Sequence, residues 1–151
     1  METQRHLGMR VRILSQTIHT AIDRKLTALG LTGQQSFVLR FLSEHTGEPV
    51  YARDIEKRFN LTHPTVSGIL QRLEAKGFLM SETESSDRRC KRVTMTPKAE
   101  ECQKEIERHI QALERTMVAG MTPEEAINFG RLLDLAYENL SNEMKKEEFS
   151  V

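Results

Sequence analysis

The sequence predicts a mainly α-helical fold that carries one small β-hairpin. Apolar residues recur every three or four positions through most of the 151-residue chain, which is the period of an amphipathic helix. The period changes once, between Phe78 and Met95, where two strand-like runs flank a polar segment. Two short helical segments joined by a tight turn directly precede this hairpin. That order is typical of a winged helix-turn-helix, here with long helices before and after it.

The first two helices are defined by their apolar residues and by their ends. Helix one is long, ends at Gly30, and has a stripe formed by Leu7, Val11, Leu14, Ile18, Ile22, Leu26 and Leu29. Helix two opens at a capping box of Thr32 and Gln35, and Gly47 and Pro49 stop it. Its residues predicted to face the core are Phe37, Val38, Phe41 and Leu42.

Helices three and four form the predicted helix-turn-helix. Three residues mark the short third helix: Tyr51, Ile55 and Phe59. The turn is Asn60-Leu61, after which Thr62 is expected to cap helix four, with Pro64 tolerated in its first turn. Gly77 ends this helix. Four of its residues are predicted to face the core: Val66, Ile69, Leu70 and Leu73.

The hairpin and the two closing helices complete the chain. Strand-like runs cover residues 78–84 and 91–95. Thr96-Pro97 opens helix five with proline at its first position, and Thr122-Pro123-Glu124-Glu125 opens helix six with a capping box. The stripe of helix five is Ala99, Cys102, Ile106, Ile110, Leu113 and Met117. The stripe of helix six is Phe129, Leu132, Leu133, Ala136, Leu140 and Met144.

We expect one domain over residues 1–151, with a winged helix-turn-helix core at 32–96 and dimerisation helices at 1–31 and 97–148. The core is long enough to bury its own centre, whereas the terminal helices carry long apolar stripes with little left to cover. Packing across a two-fold axis in a homodimer would bury those stripes. An intramolecular three-helix cap is the alternative.

Composition limits the classes of protein that the chain can represent. Charged residues make up 29% and hydrophobic residues 38%, which suits a folded helical protein. No apolar run approaches the roughly 18–20 residues of a membrane span, and the N-terminus lacks a signal-peptide core, so we expect a cytoplasmic protein with no membrane partner. Neither a catalytic motif nor a metal-ligand spacing is found, so neither an enzyme, a cofactor nor a metal site is expected.

Charge is distributed unevenly along the chain. The 22 basic and 22 acidic residues cancel overall, which does not favour a nucleic-acid partner. Between Arg53 and Lys98, however, ten basic residues stand against six acidic ones, a net charge of +4. The middle of the chain is therefore the part suited to meet phosphates.

The outward face of helix four is small and polar and carries no acidic residue. It consists of His63, Thr65, Ser67, Gly68, Gln71 and Arg72. These residues offer hydroxyl, amide, imidazole and guanidinium groups, and the second helix of such a motif enters the major groove. The face therefore indicates contact with double-stranded DNA, with an ordinary solvated helix face as the alternative.

The hairpin tip is the most cationic segment of the chain. It places four cations within five residues: Arg88, Arg89, Lys91 and Arg92. Asp87 lies two residues before Arg89 and can orient its guanidinium through charge-assisted hydrogen bonds. An oriented arginine suits the negative potential of a narrow minor groove. The DNA-binding residues predicted here are Asp87, Arg88, Arg89 and Lys91; a charged turn that serves only solubility is the alternative.

These residues resemble the MarR family (multiple antibiotic resistance regulators). The resemblance is carried by residues 65–67, 72–74, 76–79 and 87–96, and the Asp87-x-Arg89 pattern is its most specific part. It implies a homodimeric transcriptional regulator, expected to be a repressor, on a pseudo-palindromic operator. It also implies that the helix from Thr62 reads the major groove, and that Arg89, held by Asp87, enters the minor groove.

The family resemblance further implies a small aromatic or anionic effector, bound between the dimerisation helices and the winged core, that relieves repression. His19, Arg40 and Phe41 are the candidates to line such a pocket, with plain packing or solvent exposure as the favoured alternative for each. The alternative function is a winged-helix protein–protein interaction module without DNA binding. The Asp87/Arg89 tip and the acid-free helix face favour DNA.

Overall fold

The computed structural model describes residues 6–83 and 90–148. The helices are α1 (Leu7–Ala28), α2 (Gly33–Glu44), α3 (Ala52–Phe59), α4 (His63–Ala75), α5 (Pro97–Met117) and α6 (Pro123–Glu148). The strands are β1 (Val50–Tyr51), β2 (Leu79–Thr83) and β3 (Lys91–Met95). The predicted fold class, mainly helical with a small β wing, is confirmed.

The chain divides into two compact units, Met1–Gln111 and Ala112–Val151. The first contains the core, in which the most deeply buried large side chains are Val38, Leu39, Ile55, Val66 and Leu73. They come from α2, α3 and α4, so the two short helices are fixed by packing against each other and against α2. The C-terminal part of α1 joins this core through Leu26, and the first half of α5 joins it through Ala99, Cys102 and Ile106.

The sheet has three antiparallel strands in the order β1-β3-β2. Val50 pairs with Val93, and Leu79 pairs with Met95 at the base of the hairpin. Sequence patterning predicted β2 and β3 but not β1, because two residues are too few to show an alternating pattern. Its Val50 is buried, so β1 attaches the α2–α3 connection to the wing.

The predicted helix boundaries are mostly confirmed by hydrogen bonds. Thr32 and Gln35 form a reciprocal capping box at the start of α2, with both bonds at 3.2 Å. Thr122 and Glu125 do the same at α6, at 2.8 and 3.2 Å. Thr62 occupies the N-cap of α4, but its hydroxyl meets the Thr65 hydroxyl at 2.8 Å and caps no backbone N–H.

One predicted core residue is wrong. Phe37 is 60% exposed, whereas its neighbours Val38 and Leu39 are buried. Each helical residue is rotated by about 100° from the last, and the buried arc of α2 is centred near Val38 and Leu42, which leaves Phe37 outside it. Gln35 is buried on that arc, although its polar side chain gave no reason to place it there.

The second unit consists of the last residues of α5, a turn and α6. None of the described side chains of α6 is buried. Its predicted stripe is present as an apolar surface, with Leu132 and Leu140 both exposed. No helix in the described ranges is long and apolar enough to cross a bilayer.

Candidate nucleic-acid interface

A tight left-handed turn sets α4 against α3. Asn60 ends α3 with φ 50° and ψ 48°, a conformation that asparagine tolerates better than most residues. The Leu61 N–H donates to the Glu56 carbonyl at 3.0 Å, which closes α3 and reverses the chain. Thr62 then starts α4 in extended geometry. The two helices thus adopt the helix-turn-helix arrangement that the sequence predicts.

The inward side of α4 is apolar and sealed. Val66, Ile69, Leu70 and Leu73 are all buried, between 0% and 3% exposed, which confirms their predicted orientation. A helix with one face held this firmly must present its other face to solvent. Thr65, Gln71 and Arg72 are exposed on that other face, and Ser67 and Gly68 are half-buried. The side chains of Gln71 and Arg72 make no hydrogen bond or ion pair to any residue in the described ranges.

The carboxylates of α3 and α4 are each engaged in a local hydrogen bond. Asp54 accepts from the Tyr51 N–H at 2.8 Å. Glu74 accepts from the N–H and hydroxyl of Ser81 at 3.2 and 3.0 Å, which ties α4 to the wing. Glu56 lies 2.6 Å from His63 Nδ1. These three acids are thus hydrogen-bonded within the motif and the wing, and none of them pairs with a lysine or arginine of α3 or α4 in the described part of the chain.

The cations of the same two helices are arranged in the opposite way. Arg53, Lys57, Arg58 and Arg72 are exposed, and none of them forms an ion pair with a carboxylate in the described part of the chain. The Arg53 and Arg58 guanidinium groups lie 5.1 and 5.6 Å from the ring centroids of Tyr51 and Phe59. Cations without acidic partners create the positive potential that attracts a polyanion.

His63 lies at the first position of α4, and its side chain is 41% exposed. The turn brings Glu56 of α3 against it, so the outward face of α4 has an acidic neighbour from the preceding helix. The Nδ1 atom of His63 is engaged by Glu56, and its second ring nitrogen, Nε2, remains for another partner. Sequence reasoning missed Glu56 because the two residues are seven apart and meet only through the Asn60 turn.

The wing extends from the paired strands β2 and β3. Lys91 is half-buried at the end of β3, opposite Thr83, and Arg92 is exposed opposite Glu82. The predicted DNA-binding residues Asp87, Arg88 and Arg89 lie outside the described residues. The structure therefore establishes the hairpin that carries the tip but not the geometry of the tip.

The three predicted effector-pocket residues lie on two helices, His19 on α1 and Arg40 and Phe41 on α2. His19 is exposed on α1, with Nδ1 3.2 Å from the Ser15 carbonyl, and the Arg40 Nε donates to Glu44 at 3.0 Å. Phe41 is buried beside His45 and Phe59. Ile13, Gln16, Thr17, Thr20, Ala21 and Arg24 share an open face of α1.

Within residues 6–83 and 90–148, no group of three or more histidine, cysteine or acidic side chains is placed to hold a metal ion. Cys102 is buried on the apolar stripe of α5, as predicted. Burial raises the pKa of the Cys102 thiol, and the charge of Glu105 raises it further. The protonated thiol is neither a good nucleophile nor a good metal ligand, so Cys102 acts as a small core residue.

Residues 29–89 match the family model described as the MarR family. The match begins at the end of α1 and extends through the helix-turn-helix to the tip of the wing. It covers the predicted reading helix and Asp87-x-Arg89.

Solved structures extend the similarity over most of the chain. MepR of Staphylococcus aureus in a DNA complex is 26% identical and has a TM-score of 0.74, with 85% of this chain and 96% of that one covered. MepR bound to ethidium bromide is 25% identical, with a TM-score of 0.71 and coverage of 89% and 96%. The YusO protein from Bacillus subtilis is 20% identical, with a TM-score of 0.80 and coverage of 91% and 96%, which shows the shared fold.

Proposed function

We propose that this chain, which belongs to the MarR family of transcription regulators, binds a pseudo-palindromic operator as a homodimer and represses transcription until a small molecule releases it. The observation that carries the proposal is the outward face of α4. Gln71 and Arg72 lie there without a partner among the described residues, while the nearby acids Asp54, Glu56 and Glu74 are engaged locally. Similarity to MepR, which was crystallised with DNA, supports the same partner.

On the proposed operator, α4 lies in the major groove. His63, Thr65, Ser67, Gly68, Gln71 and Arg72 are the residues proposed to contact it. Amide and guanidinium groups form bidentate bonds to adenine and guanine edges, so Gln71 and Arg72 are best suited to read sequence. The hydroxyl groups of Thr65 and Ser67 suit phosphates or bases, and Gly68 allows close approach.

The wing is proposed to contact the adjacent minor groove. Its residues are Asp87, Arg88, Arg89 and Lys91, with Arg89 in the groove and Asp87 orienting it. An arginine held by a carboxylate loses less rotational freedom on binding than a free one. A narrow, A·T-rich groove favours it most.

Dimerisation is proposed from the apolar surfaces of the terminal helices, each considered by itself. The first half of α1 exposes Leu7 and Val11 on one face, and α6 exposes Leu132, Leu133 and Leu140. Contiguous apolar surfaces of this kind mark interaction sites. In a two-fold symmetric dimer the same surface is buried on both protomers. The two copies of α4 are then related by the symmetry that relates the two half-sites of a palindromic operator.

The proposed effector is a small aromatic or anionic molecule. On an open face of α1, Ile13 and Ala21 offer apolar contacts to such a molecule and Arg24 supplies a cation. His19 and Arg40 are proposed as further polar contacts, whereas Phe41 already packs against His45 and Phe59. MepR bound to ethidium bromide is a precedent for an aromatic ligand in a similar protein.

The direct test is to enrich a duplex from a randomised library with the wild-type protein and to measure binding by fluorescence anisotropy. Wild type is expected to prefer the enriched duplex over a scrambled one of equal composition. Gln71→Ala is expected to reduce that preference by about 1–3 kcal/mol, the cost of one good base contact. Equal losses on both duplexes would show that Gln71 does not read sequence, and failure to enrich any duplex would contradict the proposed function.

The same measurement at several salt concentrations tests the wing. Arg89→Ala is expected to lower affinity and to reduce the slope of log affinity against log salt by about two per dimer. Asp87→Ala is expected to weaken binding although it removes a negative charge. Tighter binding by Asp87→Ala would show that the tip is only a cationic patch and that Arg89 is not oriented.

A further inference from the structure

The C-terminal end of α4 is tied to a distant part of the chain by one lysine. Lys76 is the C-cap of α4, and its Nζ donates to the Gly30 carbonyl at 2.6 Å and to Gln35 Oε1 at 3.0 Å. Gly30 follows the end of α1, and Gln35 lies in the first turn of α2. The ammonium group therefore joins the α1–α2 junction to the last turn of the proposed reading helix.

The acceptor of this bond is fixed before Lys76 reaches it. Gln35 is only 3% exposed, and its Oε1 also accepts from the Thr32 N–H at 3.2 Å. The Gln35 N–H in turn donates to the Thr32 hydroxyl at 3.2 Å. Because burial and the Thr32 backbone N–H hold the Gln35 amide oxygen in place, its bond to Lys76 couples the end of α4 to the start of α2.

The start of α5 holds the same end of α4 from another direction. The Lys98 Nζ donates to the Lys76 carbonyl at 2.6 Å, and the Thr96 hydroxyl donates to the Gly77 carbonyl at 2.6 Å. The Thr96 N–H donates to the Phe78 carbonyl at 3.1 Å. Elements outside the helix-turn-helix thus converge on residues 76–78.

Lys76 lies one helical turn beyond Arg72, but its Nζ is engaged by Gly30 and Gln35, so we treat it as a tether and not as a DNA contact. The helix has 13 residues from His63 to Ala75, which at 1.5 Å per residue separates its two ends by about 20 Å. A tilt of about 3° about Lys76 displaces His63, at the far end of α4, by about 1 Å and Gln71, five residues away, by about 0.4 Å. A displacement of that size is enough to misalign directional hydrogen bonds to base edges.

We propose that Lys76 is a positioning residue for DNA recognition: by binding Gly30 and Gln35 it sets the angle of α4 relative to α1 and α2, and with it the affinity for DNA. The inference rests on the proposed function, in which α4 reads DNA. Through Lys76, the α1–α2 junction is hydrogen-bonded directly to the end of α4. Movement of the end of α1 strains or breaks the Lys76 bonds and so alters DNA binding.

The first test uses the free protein and no DNA. Lys76→Met keeps much of the side-chain length and removes the donor. Amide hydrogen exchange is expected to become faster at Gly77 and Phe78, whose N–H groups close the end of α4, and at Thr32, whose N–H shares the Gln35 acceptor. Lys76→Arg retains donors and is expected to remain close to wild type. Unchanged exchange in Lys76→Met would overturn the tether.

The second test measures binding to the enriched duplex by fluorescence anisotropy over a range of salt. Lys76→Met is expected to bind about five- to tenfold more weakly, as for loss of a charged hydrogen bond, with the salt slope unchanged because no phosphate contact is lost. Lys76→Arg is expected to recover most of the affinity. Thr32→Ala is the matched control, since it removes the other half of the capping box but leaves Gln35 Oε1 and Lys76 in place.

Three results would overturn the proposal: wild-type affinity in Lys76→Met, a salt slope lower by about two per dimer, or an equal loss in Thr32→Ala. The second would make Lys76 a phosphate contact, and the third would make the loss a general effect of weakened folding. If wild type enriches no duplex, the proposed function fails, and the exchange measurement alone then decides whether Lys76 holds α4.

Discussion

Helices α4 and α6 are both amphipathic, but the apolar face of α4 is buried and that of α6 is exposed. In α4 the apolar residues are sealed in the core, with Leu73 at 0% exposure. In α6 they lie on the surface, with Leu140 at 69% and Tyr137 at 73%. An amphipathic pattern alone therefore shows that a helix has an apolar face, but not whether this chain covers it.

The difference indicates two kinds of partner. The surface left to α4 is polar, and its neighbouring cations have no acidic partner in the described part of the chain, which suits a hydrated polyanion. The surface of α6 is apolar, and its exposure is unfavourable until another apolar surface covers it, at about 25 cal/mol per Å². The proposed function, DNA binding by a homodimer, would use one surface of each kind.

The largest expected effect comes from placing a charge on the apolar face of α6. Leu140→Glu is expected to convert a dimer into a monomer at micromolar concentration. Each protomer would lose about 1.5–3 kcal/mol of apolar burial, and two-fold symmetry counts the loss twice. Operator affinity is expected to fall by about 100-fold or more, because the two half-sites then bind independently. Light scattering gives the mass, and anisotropy gives the affinity.

The matched control adds the same charge two residues later. Asn142 lies on the polar side of α6, about 160° from Leu140 by helical geometry, so Asn142→Glu is expected to remain dimeric. A folded wild-type protein with a monomer mass, or dissociation by both variants alike, would show that the α6 face does not form the dimer.

A smaller effect is expected from breaking the contact between Glu56 of α3 and His63 at the start of α4. Glu56→Ala is expected to weaken DNA binding about two- to fivefold, within the range of a partly exposed ion pair, because His63 loses the carboxylate that orients its ring. Simple charge repulsion predicts the opposite sign, since the substitution removes a negative charge near phosphates. Anisotropy on the enriched duplex measures the change.

A double-mutant cycle with His63→Ala sharpens this result. If Glu56 acts through His63, Glu56→Ala is expected to have no weakening effect in the His63→Ala background. Equal weakening in both backgrounds would assign Glu56 a purely structural role at the turn, and tighter binding would mean that it acts only as an unfavourable charge.

The smallest expected effect concerns the ion pair between α1 and α5. A hydrogen bond from Lys25 lowers the pKa of Glu105 below its ordinary value of 4.5. A lowered folded-state pKa contributes stability that is present above the ordinary value and is lost as the pH falls through the lowered one. Glu105→Gln is therefore expected to lower the urea midpoint slightly at about pH 7 and hardly at about pH 3.

Glu107→Gln is the control for this pH dependence, because it removes the same charge from an exposed position on the same helix. It is expected to leave the urea midpoint unchanged at both pH values. A Glu105→Gln effect that is equal at low and neutral pH would mean that packing, and not ionisation, is responsible.

Most of the fold was predictable because its signals are local. The helix ends are marked by hydrogen bonds and dihedral angles that involve residues a few positions apart. Examples are the capping boxes at Thr32 and Thr122 and the positive φ angles of Gly30 and Gly77. The buried face of α4 followed from spacing alone. Phe37 was misassigned because hydrophobicity was weighed above its angular position, and β1 was missed because it is too short to form a pattern.

The candidate site was predicted less completely. The spacing of the apolar residues identified the outward face of α4, including Gln71 and Arg72. When one face of a helix is buried, the residues of the opposite face are exposed to solvent. It did not identify Glu56 beside His63 or Gln35 beside Lys76, because those partners meet across a turn or between separate helices. Charge counts along the chain likewise did not show that Asp54 and Glu74 are engaged in local hydrogen bonds.

The sequence by itself determined the order of the helices, the position of the hairpin and the polarity of each helix face, since these depend on residues a few positions apart. Only the tertiary structure decided which apolar faces are buried, which carboxylates are engaged and which groups hold the end of α4. Such contacts join residues as distant as Gly30 and Lys76, and their energies depend on desolvation and geometry that exist only once the chain has packed.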